Sequence, residues 1–299
     1  MVTKLFVMSD SHDDLEALAR ACDFAQASQA NEIVYLGDFS LRPYTPEQLK
    51  QVISTQNVRA FVGQKQKHNL AQLTANKDIL DQSKIPYTVI PGNYDSDLEA
   101  VFGNLNQHGK SRHIGEAKVT SYGGADGIPP HLALLDQLGE LVPYDHRKLY
   151  ALLNSEDPDI VVLHNPPHQL LDTMFNGDKV GTPAATKYVV ENKPDLVLCG
   201  HIHESGPYGP MGANPERSGG LAVLSHAGDM RTYVVNPGNL GRFEIVDPRT
   251  LAAVKAFPFG TFAEVHLEED GTPLRLVQYS LMDNGKVGKV KIIGEADFR

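Results

Sequence analysis

The stretch LFVMSDSH, residues 5–12, runs four apolar residues into Ser9, Asp10, Ser11 and His12. An apolar run of that length reads as a buried strand, and it ends on a carboxylate and an imidazole that can both bind a metal ion. The same device recurs downstream. IVYLGD (33–38) ends at Asp38, YTVIPGN (87–93) at Asn93, IVVLH (160–164) at His164, and LVLCGHIH (196–203) at His201 and His203. In open α/β sheets, ligands bind at the carboxyl ends of the strands. Every one of these residues falls at that end. The pattern therefore predicts one site that gathers oxygen and nitrogen donors from distant parts of the chain around two metal ions.

The elements between the ligand segments fit an α/β chain. A strand over Lys4–Ser9, a helix from Asp13 to Ser28 and a strand over Glu32–Leu36 make a βαβ unit, whose strands should be parallel neighbours. The helix repeats Leu15, Leu18, Ala19, Cys22 and Ala25 at helical spacing. Residues 41–85 form a helical insertion. Pro46 opens one helix over EQLKQVIST, HNLAQLTANKDILDQ (68–82) forms a second, and the polar GQKQKHN (63–69) interrupts them. The expected place of this pair is the surface. Residues 104–145 read as irregular apart from a strand at Ala117–Tyr122. A helix at Arg147–Leu153, a strand at Asp159–Leu163, a helix at Pro183–Asn192 and a strand at Asp195–Cys199 follow. The remainder is strand-rich, with Leu221–Ser225, Thr232–Val235, Arg242–Val246, Ala263–Leu267 and Arg275–Ser280. EEDG (268–271) marks a hairpin before the last of these. No repeat or linker divides the chain, so a single domain over residues 1–299 is expected.

Composition excludes several classes. No apolar run approaches the roughly 20 residues that cross a bilayer, and MVTKLFVMSDSH turns polar too soon for a signal peptide. A cytoplasmic protein with no membrane partner is expected. With only Cys22 and Cys199, neither a disulfide framework nor a cysteine-type zinc site can be built. The net charge of −10, without a basic stripe, argues against nonspecific nucleic-acid binding. It does not exclude a phosphate substrate, because bound divalent ions reverse the local sign.

Each ligand segment is weak alone. Asp10-Ser11-His12 reads equally as a helix cap with a chance histidine, Gly37-Asp38 as a turn, and His164 as a structural histidine. Strand alternation would place Asp10 and His12 on one face if the strand reached that far. Gly200-His201-Ile202-His203 is stronger, since two imidazoles follow a glycine and a buried strand. Specificity comes from all five together.

Asp10-x-His12, Gly37-Asp38, Gly92-Asn93, His164 and Gly200-His201-x-His203, in that order, resemble the calcineurin-like metallophosphoesterase family over about residues 1–240. Asn236-Pro237-Gly238 resembles the turn that closes small bacterial and archaeal members. The resemblance implies an αββα sandwich, two mixed β-sheets flanked by helices. It implies that Asp10, His12, Asp38 and His203 bind one ion, that Asp38 bridges, and that Asn93, His164 and His201 complete the second. The family's metals are Mn, Fe, Ni and Zn, divalent or mixed-valence, and the mixed donor set suits them better than Ca²⁺. Two ions about 3.5 Å apart lower the pKa of a bridging water, and the resulting hydroxide attacks phosphorus in line.

The expected activity is that of a phosphodiesterase on a small phosphate ester, nucleotides included. A phosphomonoesterase or nucleotide pyrophosphohydrolase is the alternative, and a non-catalytic metal-binding scaffold for a protein partner the second. A homo-oligomer is left open. One position departs from the family pattern. Where many members carry a histidine that helps protonate the leaving group, this chain reads Gly92-Asn93-Tyr94-Asp95. A tyrosine of ordinary acidity, pKa about 10, donates a proton poorly. Tyr94 is then a hydrogen-bonding group behind the metals or a packing residue, with Asp95 supporting the site or capping the next helix. His131, His146, His168 and His226 are further candidates for substrate contact, against ordinary structural roles.

Overall fold

The computed structural model describes residues 2–41, 45–55, 57–126, 141–142, 144–208, 219–246, 252–283 and 286–298. Alternation along strand β1 (Thr3–Met8) sends Leu5 and Val7 to one face and Phe6 and Met8 to the other, and all four are fully buried. A strand apolar on both faces must be covered on both, and this one is. It lies inside a six-stranded sheet of β1, β2 (Glu32–Tyr35), β3 (Tyr87–Val89), β12 (Thr261–Leu267), β13 (Pro273–Asp283) and β14 (Lys286–Asp297), in the order β14-β13-β12-β1-β2-β3. β1, β2 and β3 are parallel, and β12 to β14 add on antiparallel.

A second six-stranded sheet contains β4 (Lys110–Ile114), β5 (Ala117–Tyr122), β6 (Ile160–Leu163), β7 (Leu196–Leu198), β8 (Leu221–Ser225) and β9 (Arg231–Val235), in the order β4-β5-β6-β7-β9-β8. Its centre, β5 to β9 through β6 and β7, is parallel, and β4 and β8 are antiparallel edges. A two-stranded ribbon, β10 (Phe243–Val246) with β11 (Ala253–Phe257), stands apart.

Three apolar layers hold this together. Leu5, Val7, Val34 and Leu36 meet Val119, Ile160, Val162, Leu196 and Val235 between the sheets. Outside the first sheet, Phe6, Met8, Ile33 and Tyr35 pack on helices α1 (Leu15–Ala27) and α3 (Arg59–Ser83). Outside the second, Val161, Leu163 and Val197 pack on α5 (His146–Glu156) and α6 (Pro183–Asn192). The result is the expected sandwich of two mixed sheets flanked by helices. The described residues also include the short helices α2 (Pro46–Thr55) and α4 (Leu98–Phe102).

Four expectations are corrected. The polar stretch 63–69 does not interrupt the insertion. It belongs to the 25-residue helix α3, because Gln and Lys are good helix formers and only Gly63 weakens it. Nor is α3 a surface appendage. Lys65, Asn69, Leu73, Asn76 and Leu80 are all buried, a stripe whose first part is polar and so carries no apolar period. Residues 104–145 are not irregular throughout, since β4 pairs with β5. The EEDG turn does form, with the Glu268 N–H donating to Thr272 O at 2.9 Å, but the strand after it is followed by β14. Neither β11 nor β14 is expected from the sequence. Lys255 in β11, and the Lys and Gly residues of β14, mask the alternation, and edge strands commonly carry such charge.

Candidate metal centre

The ligand segments end where their strands end. β1 and β2 run parallel in register from Leu5↔Glu32 to Met8↔Tyr35, so the loops carrying Asp10 and Asp38 leave the sheet side by side. β3 brings Asn93 to the same rim. β6 and β7, parallel in the facing sheet, bring His164, His201 and His203 to it from across the sandwich. The closeness of the chains explains two glycines. A Cβ on Gly37 would lie 2.2 Å from Gly92 N, and one on Gly92 would lie 2.0 Å from Asp38 Oδ1.

Strand alternation does not place Asp10 beside His12. β1 stops at Met8, and Asp10, His12 and Asp13 take positive φ values of 58°, 46° and 68°. Asp38 and His201 do the same at 58° and 64°. Such backbone is costly for non-glycine residues and persists only where surroundings hold it. Here the Asp10, His12 and Asp13 N–H groups donate to Gly37, Asp38 and Phe39 carbonyls at 2.8, 3.2 and 3.0 Å. The His201 N–H donates to Asp10 Oδ2 at 3.1 Å, and the Tyr94 N–H to Asp38 Oδ1 at 3.1 Å.

Two clusters result, Asp10 with His12 and His203, and Asp38 with His164 and His201. Within each, the potential ligand atoms lie within 4.8 Å of one another. His203 Nε2 is 3.0 Å from Asp10 Oδ1, and His12 Nε2 is 3.2 Å from His203 Nε2. His164 Nε2 lies 3.4 Å from Asp38 Oδ2 and 3.3 Å from Asn93 Oδ1, so Asn93 joins the second cluster. His164 Nδ1 donates to Leu36 O at 2.7 Å, which orients Nε2 into the cluster. All seven predicted ligands are therefore brought together. Two ring nitrogens 3.2 Å apart beside a buried carboxylate fit a shared cation. The buried Nδ1 of His12 has no hydrogen-bond partner, and Nε2 is the nitrogen that faces His203.

Electrostatics follow from burial. Burial opposes charge on His164, but the Asp38 carboxylate outweighs it and raises its pKa to about 9. Desolvation, and then the charge of neighbouring His164, lower the His201 pKa to about 3. Burial and then the Asp38 charge push Asp95 up to about 7.

Asp95 does not cap a helix. α4 starts at Leu98 behind Asp97, and the buried Asp95 carboxylate instead accepts the N–H groups of Asp38, Phe39, Ser40 and Gly92 at 2.6, 3.1, 3.4 and 2.8 Å. It ties the Asp38 loop to the Asn93 loop. Tyr94 is half-buried, with Lys65 Nζ 5.6 Å from its ring centroid. His146 pairs with Asp126 (2.9 Å), His168 with Asp172 (3.1 Å) and His226 with Thr232 (2.9 Å). None of the three belongs to either cluster. His131 lies outside the described residues.

Two sets of supporting residues carried no sequence signal. One is the inward face of α3, where Lys65 Nζ donates to Leu41 O (3.3 Å), His68 contacts Asp13 (3.0 Å) and Asn69 accepts from Ser40 Oγ (2.6 Å). The other is the pair Phe243 and Phe257 on the β10–β11 ribbon, stacked at 4.8 Å. Phe243 lies edge-on to His12 at 4.4 Å and to His203 at 4.7 Å. Only packing between segments far apart in the chain reveals either contact.

A family model for calcineurin-like phosphoesterases matches residues 3–205. No curated protein matches the chain. Among solved structures, a dimetal phosphatase from Danio rerio is similar at a TM-score of 0.54 and 10% identity, over 97% of this chain and 98% of that one. The TT1561 protein of Thermus thermophilus gives 0.50 and 19%, over 85% and 98%. Purple acid phosphatase PPD1 from yellow lupin (Lupinus luteus) seeds gives 0.50 and 11%, over 98% and 54%. At such identities these likenesses speak for the fold, and the family match speaks for descent. The chain belongs to the calcineurin-like phosphoesterase family.

Proposed function

We propose that this protein is a two-metal phosphodiesterase acting on a small phosphate ester. In this reading Asp10, His12, Asp38 and His203 hold one ion, and Asp38, Asn93, His164 and His201 hold the other. The ions are Mn, Fe, Ni or Zn, by the match of mixed imidazole and oxygen donors. The observation that carries the reading is the convergence of two three-residue clusters, one on Asp10 and one on Asp38, with four of their six members buried, at one rim of the sandwich. When bound, such ions supply a nucleophile from water at neutral pH and neutralise the phosphoryl oxygens.

The protein's own groups set the conditions. In this reading Asp38 is shared by both ions, and its backbone N–H is held by Asp95. Asn93 adds an oxygen without adding charge. Phe243 and Phe257 pack against His203 and give that side of the site an apolar wall. Tyr94 follows Asn93 directly, and in this reading its hydroxyl hydrogen-bonds a substrate oxygen.

The test is Mn²⁺-dependent hydrolysis of bis-p-nitrophenyl phosphate, with Asn93→Ala as control. Activity that requires metal and falls at least about 100-fold in the variant is expected, the loss of one group acting on the transition state. Turnover of p-nitrophenyl phosphate in preference to the diester favours the monoesterase alternative. Folded, metal-loaded protein without turnover of either favours the scaffold.

A further inference from the structure

The chain that enters the ribbon β10–β11 runs tightly along the loop that carries Asp10 and His12. The Leu240 and Gly241 N–H groups donate to Ser9 O and Asp10 O at 2.8 and 3.0 Å, and the Arg242 N–H donates to Asp14 Oδ2 at 3.0 Å. The two chains are so close that a Cβ on Gly241 would lie 1.8 Å from Ser11 O. Phe243 is the next residue. Its ring centroid falls 4.4 Å from that of His12 and 4.7 Å from that of His203, at interplanar angles of 62° and 78°. Phe257, its cross-strand partner, is buried, stacks on it at 4.8 Å and meets the His203 ring at 5.2 Å.

The two clusters hold their imidazoles by different means. A metal-binding histidine commonly has its other ring nitrogen hydrogen-bonded, which fixes the orientation of the ring. His164 is held so, through Nδ1 and Leu36 O. His12 is not, since its buried Nδ1 has no hydrogen-bond partner. Packing must therefore set the rotation of that ring, and Phe243 packs on it and on His203 together. The ribbon depends on the same contact. It pairs with neither sheet, and Glu244, Ala253 and Val254 are exposed. A two-stranded hairpin is marginal without such an anchor.

We propose that Phe243, backed by Phe257, is the positioning residue of the Asp10–His12–His203 cluster. It holds the two imidazoles at the angle that one cation requires, and the ribbon docks more firmly when that cation is bound. The second statement follows from the first, because coupling between two sites is reciprocal. This inference rests on the two-metal reading and is independent of which ester is hydrolysed. It assigns a role in metal binding to a segment beyond the matched residues 3–205.

The experiment titrates Mn²⁺ into metal-free full-length protein and follows free Mn²⁺ by electron paramagnetic resonance, in wild type, His12→Ala, Phe243→Ala and Phe243→Leu. The ion lost in His12→Ala is the ion of the Asp10 cluster. Phe243→Ala should weaken that ion by at least about tenfold, the scale of losing a group that orients a metal ligand, and leave the other ion within about twofold. Phe243→Leu, which keeps apolar bulk, should recover most of the loss. Equal losses at both ions, as a general destabilisation would give, or no loss at either, overturn the inference. A second arm needs no variant. In wild type, Mn²⁺ should slow hydrogen exchange of the β10–β11 amides by at least about tenfold while the edge strand β8 changes by less than about twofold. Ribbon exchange that ignores bound Mn²⁺ overturns the inference as well. Wild type that binds no Mn²⁺ defeats it together with the two-metal reading. Wild type that binds two ions and hydrolyses no ester defeats the phosphodiesterase reading alone.

Discussion

His164 shows how single residues set the terms for metal binding. Its Nδ1 is committed to Leu36 O, and the nearby Asp38 carboxylate raises its pKa to about 9 despite burial. In metal-free protein at pH 7.5 the ring is therefore protonated, and it must lose that proton to become a ligand. Metal loading at pH 7.5 should release at least one proton, read by calorimetry in buffers of differing ionisation enthalpy. The release should shrink above about pH 9, where the ring is already neutral. Proton release unchanged in His164→Ala would count against this assignment. Tyr94 sets a second expectation. Lacking a strong acid at that position, the enzyme should favour esters whose leaving groups need little protonation. Aryl and cyclic esters should exceed alkyl esters by at least tenfold in kcat/KM, and equal efficiency would remove the role assigned to Tyr94.

Helices do more here than cover sheets. α3 presents a polar inner edge that grips the loops after β1 and β2, with Asn69 accepting from Ser40 and donating to Asp97 at 2.9 Å. Asn69→Ala leaves the buried Ser40 hydroxyl without its acceptor and the half-buried Asp97 carboxylate without this donor, and should cost about 1–3 kcal/mol in urea unfolding. Mn²⁺ affinity should fall with it, since the Asp38 loop loses a support. A stability loss with unchanged affinity would show that α3 is only a cover. α1 is anchored by Asp14, whose carboxylate accepts the Ala17 N–H at 3.1 Å and pairs with Arg242 at 2.7 Å. Asp14→Ala should cost about 1–2 kcal/mol. Burial opposes the charge of Asp14, but Arg242 outweighs it and sets the folded pKa below the ordinary 3.8. The stabilisation is therefore complete above about pH 4 and is lost as pH falls through the folded value. Urea midpoints of wild type and variant should converge on that acid side.

At the scale of the whole molecule, the proposed ions bridge the two sheets. Asp10, His12, Asp38 and Asn93 follow strands of one sheet, and His164, His201 and His203 follow strands of the other. A ligand bound only by the folded state stabilises it by mass action, about 2.7 kcal/mol at 100 times its dissociation constant. Removal of metal with a chelator should therefore lower the thermal midpoint, and readdition of Mn²⁺ should restore it. A midpoint indifferent to metal would mean that the sheets are locked by their apolar interface alone. The ribbon β10–β11 lies beyond the matched family segment, yet it contributes Phe243 and Phe257 to the His12–His203 side. No helix among the described residues is long and apolar enough to cross a membrane.

The sequence by itself determined the parallel ligand-bearing strands, the order of the seven donors and the family. Those features are local, since an apolar run followed by Asp, Asn or His needs only a few residues to be read. Tertiary structure decided the rest. Asp10 and His12 converge through left-handed loop backbone held by carbonyls of the neighbouring loop, not through strand alternation. Asp95 serves as a clamp on two loops, although its place before a helix suggested a cap. The burial of Lys65 and Asn69 could not be read because polar residues facing a polar loop leave no hydrophobic period. The edge strands β4, β11 and β14 hid for a related reason. Their pairing is fixed by the partner strand, and their own alternation is diluted by charge, and in β14 also by glycine.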